Sequence, residues 1–134
     1  MPTPPFPDDV RTLLGKPNPA VITTVRADGQ PVSVATWYRL DGDRIHVNMD
    51  AGRARLKHLR SDPRVALTVL DEATWYTHVS VLGRVVEMRD DTDLSGIDAL
   101  SRHYGGRPYP DRERPRVDAW IEVDRYHGWG GAKT

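Results

Sequence analysis

Residues 53–70 read RARLKHLRSDPRVALTVL, a basic segment followed by an apolar one. The first eight residues carry four cations and no acid, and Leu56 and Leu59 have the three-residue spacing of one buried helix face. A proline then ends the helical pattern, and residues 64–70 alternate apolar and β-branched side chains. The stretch therefore predicts a short basic helix that leads directly into a buried strand.

Strand patterns recur on both sides of this segment. The β-rich segments are residues 20–26, 31–40, 44–49, 64–70, 74–90 and 116–129. Asp-Gly turns separate the first three, which predicts a three-stranded meander. The fifth is too long for an ordinary strand, and Gly83 in its middle predicts a bulge or a bend.

Two further helices complete the predicted elements. Residues 7–15 and 91–106 each have acids in the first turn and glycine at the end. The resulting order is α-β-β-β-α-β-β-α-β, and no long helix separates the strands as a doubly wound sheet requires. Closely spaced strands with glycine bends favour a mainly β protein, a small closed barrel formed by one domain, residues 1–134.

Composition excludes several classes of function. The chain has 19 basic and 19 acidic residues, so any anion site must be local, and no nucleic acid or membrane partner is expected. It has no cysteine, which excludes thiol nucleophiles and thiolate metal sites. Its apolar runs are too short to span a bilayer, and its first nine residues lack the pattern of a signal peptide, so we expect a cytoplasmic protein.

The sequence predicts no catalytic residue and no metal site. The five histidines are scattered without metal-ligand spacing, and no nucleophile or phosphate-loop motif is present. Asp90, Asp91 and Asp93 crowd together at a predicted helix start, where acids act as caps. If the protein is an enzyme, a bound cofactor supplies the reactive group.

The cations of the basic segment are placed against the helix dipole. A helix start is partially positive and prefers acids, so cations there either form a solvated face or hold an anion. Arg53 and Lys57 are four residues apart and share a helix face, whereas Arg55 points elsewhere. If the helix begins near Arg55, all three side chains converge on one anion.

The stretch quoted at the start, with VSVLGRVVEM (79–88) and IEVDRYHGW (121–129), resembles the FMN-binding split-barrel family of pyridoxamine 5'-phosphate oxidase. It is most similar to the branch of deazaflavin (coenzyme F-420)-dependent oxidoreductases. The resemblance implies a six-stranded split β-barrel homodimer with two cofactor sites at the subunit interface. By position, Arg55 and Lys57 match the cations that hold the cofactor phosphate, and Arg53 is a third.

The resemblance also implies other cofactor contacts. They are the strand Val34, Ala35, Thr36 and Trp37 beside the pyrimidine ring, Asn48 and Met49 near the ring or its side chain, and Trp75 and His78 from the partner subunit. Trp129, between two glycines, either covers the barrel end or closes over the cofactor. Ordinary barrel packing is the alternative for Trp37, and a surface role is the alternative for His78.

These inferences predict an oxidoreductase that transfers a hydride from reduced F-420 to a small conjugated organic substrate. The alternatives are an FMN-dependent oxidase or reductase and a non-catalytic carrier of a flavin or deazaflavin. One phosphate needs one or two cations, whereas the phosphodiester and polyglutamate tail of F-420 can use all of them, which favours the deazaflavin. Pyridoxamine phosphate oxidase activity itself is not expected, because its C-terminal substrate-binding Arg segment has no counterpart here.

Overall fold

The chain forms one seven-stranded antiparallel sheet with three helices packed around it. The computed structural model describes every residue from Met1 to Thr134. In chain order the elements are α1 (Asp8–Leu14), β1 (Ala20–Val25), β2 (Pro31–Thr36), β3 (Arg39–Asp41), β4 (Arg44–Asp50), α2 (Ala54–Ser61), β5 (Arg64–Leu70), β6 (His78–Asp90), α3 (Ser95–Gly105), β7 (Arg116–Trp129) and a 3-10 turn at Gly130–Ala132. None of the helices has the length and apolar character needed to cross a membrane.

The strand order β2-β1-β5-β6-β7-β4-β3 explains how the sheet closes. Its two edge strands, β2 and β3, follow each other in the chain and are joined by only Trp37 and Tyr38. Such a short connection brings the edges together, so the sheet must curl into a barrel. The mainly β barrel that the sequence predicts is therefore confirmed.

The strand predicted at 31–40 is two strands, so the sheet has seven strands and not six. The break lies at Tyr38, whose side chain is fully buried. Its N–H donates to the Tyr104 hydroxyl at 3.3 Å, and its own hydroxyl donates to the carbonyl oxygen of Lys16 at 3.1 Å. These contacts with distant residues take the backbone out of the ladder with β1.

The barrel interior holds the core. Every second residue of β1 and of β5 is buried, as expected for strands with one face inward. Five consecutive residues of β4 are buried, because both of its faces are covered. The face of α2 predicted from Leu56 and Leu59 is buried in the same core.

Gly83 marks a bulge in the long strand β6, as predicted. The register with β7 shifts between Leu82 and Gly83. A Cβ at Gly83 would lie 2.3 Å from the carbonyl oxygen of Glu122, which leaves room for glycine only. The strand itself starts at His78 and not at residue 74, because the Asp71 N–H bonds to the carbonyl oxygen of Thr77 and closes a turn before it.

The third helix starts at Ser95, four residues later than the sequence predicts. The acidic residues before it act as caps, as expected. Asp91 accepts the N–H groups of Gly96 and Ile97 at 3.0 and 2.8 Å, so one carboxylate serves two free donors of the first turn. Gly106, with φ of 75°, ends the helix.

Candidate functional site

A pocket of about 570 Å³ opens where β2, β4, α2 and α3 meet. Its polar and aromatic wall consists of Thr36, Trp37, Asn48, Arg55, Tyr104, Tyr109 and Arg116. Its apolar lining consists of Pro17, Pro19, Ala20, Ala35, Ile97 and Leu100. No carboxylate lines the pocket, and the two charged residues in its lining are both arginines.

The Arg55 side chain is the most unusual feature of this wall. It is half-buried, and its Nε and Nη1 atoms are enclosed without any hydrogen-bond partner. Burial lowers the pKa of the Arg55 guanidinium, and the positive charges of Arg53 and Arg116 lower that pKa further. A buried cation without a partner is costly, and an anion in the pocket would satisfy it.

The start of α2 reinforces this positive site. The helix begins at Ala54 with Arg53 as its N-cap residue, close to the predicted start near Arg55. No side chain caps this end, and no acid lies in the first turn. The partially positive helix terminus therefore adds to the charge of the arginines, an arrangement that favours an anion.

Five of the residues predicted from sequence line the pocket, and they come from three separate elements or their ends. They are Ala35, Thr36, Trp37, Asn48 and Arg55. Arg53 and Lys57 are exposed beside it and do not line it. Val34 is 44% exposed on β2, also outside the lining.

Asn48 and Met49 are adjacent on β4 and therefore point to opposite faces. Asn48 reaches the pocket, whereas the Met49 side chain is buried in the barrel core. Met49 thus does not line the pocket in this chain.

Trp75, His78 and Trp129 lie outside the pocket, near the edge of the sheet where the first residue of β6 pairs with the last residue of β7. His78 pairs with Trp129 across the strands, and their rings stack at 6.5 Å. Trp75 stacks on Tyr76 at 4.2 Å. Trp75, Tyr76 and Trp129 are all more than half exposed, and we refer to these three residues as the aromatic surface.

Three residues that form much of the wall have no role predicted from the sequence, namely Tyr104, Tyr109 and Arg116. The two tyrosines flank the paired glycines at the end of α3, and the arginine begins the last strand. An aromatic pair around a glycine turn was the available signal. Only the packing of α3 and the following loop against β2 and β4 places these side chains in one pocket.

The Tyr104 hydroxyl has a structural role. It donates to the carbonyl oxygen of Asn18 at 2.7 Å and accepts the N–H of Tyr38 at 3.3 Å. Burial raises the pKa of Tyr104 to about 12. The hydroxyl therefore stays protonated and engaged near neutral pH, and the residue contributes its ring to the pocket wall.

Comparisons with known proteins agree with this architecture. The family model described as pyridoxamine 5'-phosphate oxidase matches residues 6–130. An F420 reductase of known structure is 26% identical, with a TM-score of 0.82 over 90% of this chain and 98% of that chain. No curated protein sequence matches the chain.

Two more distant structures share the fold. A conserved hypothetical protein from Mycobacterium tuberculosis is 23% identical, with a TM-score of 0.76 over 96% of this chain and 87% of that chain. General stress protein 26 from Bacillus anthracis is 18% identical, with a TM-score of 0.70 over 91% of this chain and 92% of that chain. The similarity to these two structures shows the split-barrel fold and nothing further.

Proposed function

Because the chain belongs to the pyridoxamine 5'-phosphate oxidase family, we propose that its pocket binds coenzyme F-420 and that the protein transfers a hydride from the reduced coenzyme to a small conjugated organic substrate. The observation that carries this proposal is the half-buried guanidinium of Arg55, whose enclosed Nε and Nη1 atoms have no hydrogen-bond partner within the chain. The resemblance to an F420 reductase supports the choice of coenzyme. An FMN-dependent oxidase or reductase and a non-catalytic carrier are the alternatives.

The residues of the pocket fit an anionic cofactor. Arg55 faces the pocket, and Arg53 and Lys57 are exposed at the same helix start. A phosphate bound to Arg55 would leave these two exposed cations for an acidic tail that extends along the surface. FMN has one phosphate and no tail, so it leaves the two cations without a role.

The residues of the chain would bind the cofactor, orient it and exclude water. When bound, the coenzyme supplies the hydride chemistry. Arg55 would hold its phosphate, and the backbone of Ala35 and Thr36 would position its ring. The apolar side chains of Ile97 and Leu100 would keep water from the reacting atoms. No carboxylate lines the pocket, and the proton that the substrate needs would come from solvent or from another group of the chain.

In the proposed assembly the protein is a homodimer, and residues of both subunits enclose each cofactor. The aromatic surface is large and exposed on the single chain. The outward face of the sheet also carries small uncharged residues in register where β2, β1 and β5 lie side by side, such as Ser33, Thr23 and Ala66, and the exposed Arg64 lies at the end of this face. A second copy of the chain would cover both areas.

We expect a homodimer at micromolar concentration, measured by light scattering, with an interface larger than the ~800 Å² of crystal-packing contacts. Ala66→Arg adds a charge to the outward face and should give a monomer. Gln30→Arg adds the same charge in an exposed turn and should leave the dimer intact. A monomeric parent protein would contradict the proposed assembly.

We also expect the purified protein to bind F-420 with micromolar or tighter affinity and to bind FMN more weakly in the same buffer. The reason is that the cations at the start of α2 exceed what one phosphate needs. Titration followed by visible absorption measures both affinities. Equal or tighter binding of FMN would favour the flavin alternative, and binding of reduced F-420 without turnover of any conjugated acceptor would favour a carrier.

A further inference from the structure

Arg116 is a second cation of the pocket, on a different element from the cations of α2. It is half-buried at the start of β7 and forms no salt bridge with any residue of the chain. Its Nε donates to Asn48 Oδ1 at 2.7 Å. Its two terminal nitrogens donate no hydrogen bond within the chain, so they are free to bind a ligand anion.

A buried polar network fixes the direction of this guanidinium. Asn48 Nδ2 donates to Asp91 at 3.0 Å and to Asp118 at 2.7 Å. Carboxylates only accept, so the amide cannot flip, and Asn48 Oδ1 must face Arg116. Asn48 and both acids are buried, which prevents them from rotating into solvent.

The network extends through His46, on the same face of β4 as Asn48, to Arg39 on the neighbouring strand β3. Arg39 Nε donates to His46 Nδ1 at 2.9 Å, and an arginine has no acceptor. The proton of the neutral imidazole is therefore on Nε2, which donates to Asp118 Oδ1 at 2.6 Å. Asp118 is thus held from two sides and in turn holds Asn48.

Aromatic rings stand next to Arg116. Its guanidinium carbon lies 4.8 Å from the centre of the Tyr109 ring. Tyr109 meets Trp37 edge to face at 6.1 Å, and Trp37 stacks on Tyr104 at 5.2 Å with the planes 13° apart. The wall beside the cation is therefore aromatic, with the Trp37 and Tyr104 rings nearly parallel and the Tyr109 ring nearly perpendicular to them, and a planar ligand can stack on one of these rings.

We propose that Arg116, aimed by Asn48 and flanked by Trp37 and Tyr109, forms a substrate subsite for planar conjugated carboxylates. The carboxylate binds the terminal nitrogens of Arg116, and the conjugated part of the molecule lies against the aromatic wall. This inference rests on the proposed function, because it assigns the Arg55 side of the pocket to the cofactor and the Arg116 side to the substrate. Asn48 is then a positioning residue.

The test compares cinnamate with its uncharged analogue cinnamamide. Calorimetric titration of the protein, with and without bound F-420, should give at least tenfold tighter binding for cinnamate. Arg116→Gln should abolish this preference, and Arg116→Lys should retain part of it because the charge remains. Arg107→Gln removes an exposed arginine from the loop that precedes β7 and should behave like the parent. Thermal melting confirms that each variant is folded.

The affinity for F-420 separates failure of this inference from failure of the proposed function. Arg116→Gln should change the dissociation constant of F-420 by less than about threefold. If Arg116→Gln weakens the binding of F-420 as strongly as Arg55→Ala does, Arg116 binds the cofactor. The proposed substrate subsite is then wrong, whereas the proposal that the pocket binds F-420 is unaffected. If the parent protein shows no preference for cinnamate, the subsite is also wrong. If F-420 does not bind the parent but the preference for cinnamate depends on Arg116, the proposed coenzyme fails and the carboxylate site remains.

Discussion

Arg55→Ala should weaken binding of F-420 by roughly ten- to a hundredfold, whereas Lys57→Ala should weaken it by less than about fivefold. Arg55 lines the pocket with enclosed, unpartnered nitrogens, so its bond to a phosphate is charge-assisted and shielded from water, a contribution of about 1.5–3 kcal/mol. Lys57 is exposed, and exposed ion pairs contribute about 0–1 kcal/mol. Absorption titrations of both variants measure the difference.

Two controls accompany these variants. Arg102→Ala removes an exposed arginine from α3 and should leave the affinity unchanged. The melting temperature of the cofactor-free Arg55→Ala protein should equal or exceed that of the parent, because burial already lowers the pKa of Arg55 and so disfavours its charged form in the fold. If the folded Arg55→Ala variant binds F-420 like the parent, the phosphate assignment is wrong.

Arg55 and Lys57 differ in their contact with the pocket, and the local sequence does not contain this difference. The sequence places four cations near a helix start, and the structure confirms that helix within a residue. The family resemblance matches both Arg55 and Lys57 to phosphate ligands, and spacing places them on different faces of the helix without showing which face meets a pocket. Which of them enters a pocket depends on how α2 packs against β1, and that packing is not encoded in the local pattern.

The strands show the same division between local and long-range information. Turn residues and apolar alternation predict the bulge at Gly83 and the order of the elements correctly, apart from the division of the strand predicted at residues 31–40. The break at Tyr38 is not predicted, because its cause is a hydrogen bond to Tyr104, 66 residues away. The pocket wall around Tyr109 and Arg116 is missed for the same reason, since a loop reaches back over β2 and β4.

Alternation alone separates Asn48 from Met49 but does not decide which of them faces the pocket. Both are buried on β4, a strand that is covered on two sides. The neighbouring side chains decide it: Asn48 contacts acidic residues on other elements, whereas Met49 contacts apolar residues of the core. Those partners are 43 and 70 residues away in the sequence.

The buried network behind the pocket should be essential for stability. Asp118→Ala leaves the Nε2–H of His46 and one N–H of the Asn48 amide without an acceptor in the interior. Losing one member of a buried charged network costs about 3 kcal/mol or more. For a chain of this length, a loss of that size lowers the melting temperature by about 10 °C. Asp124→Ala removes an exposed acid from the same strand, and this variant should have nearly the same melting temperature as the parent.

Gly96 provides a stricter test of the same geometry. A Cβ at this position would lie 2.1 Å from Asp118 Oδ1, so Gly96→Ala forces the carboxylate out of its place. We expect Gly96→Ala to cost about 1–3 kcal/mol of unfolding free energy in the parent protein and much less when Asp118 is already alanine. Denaturant unfolding of the two single variants and the double variant measures this coupling. Equal costs of Gly96→Ala in both backgrounds would mean that α3 does not press on Asp118, and the network would then not hold Asn48 and Arg116 in the pocket wall.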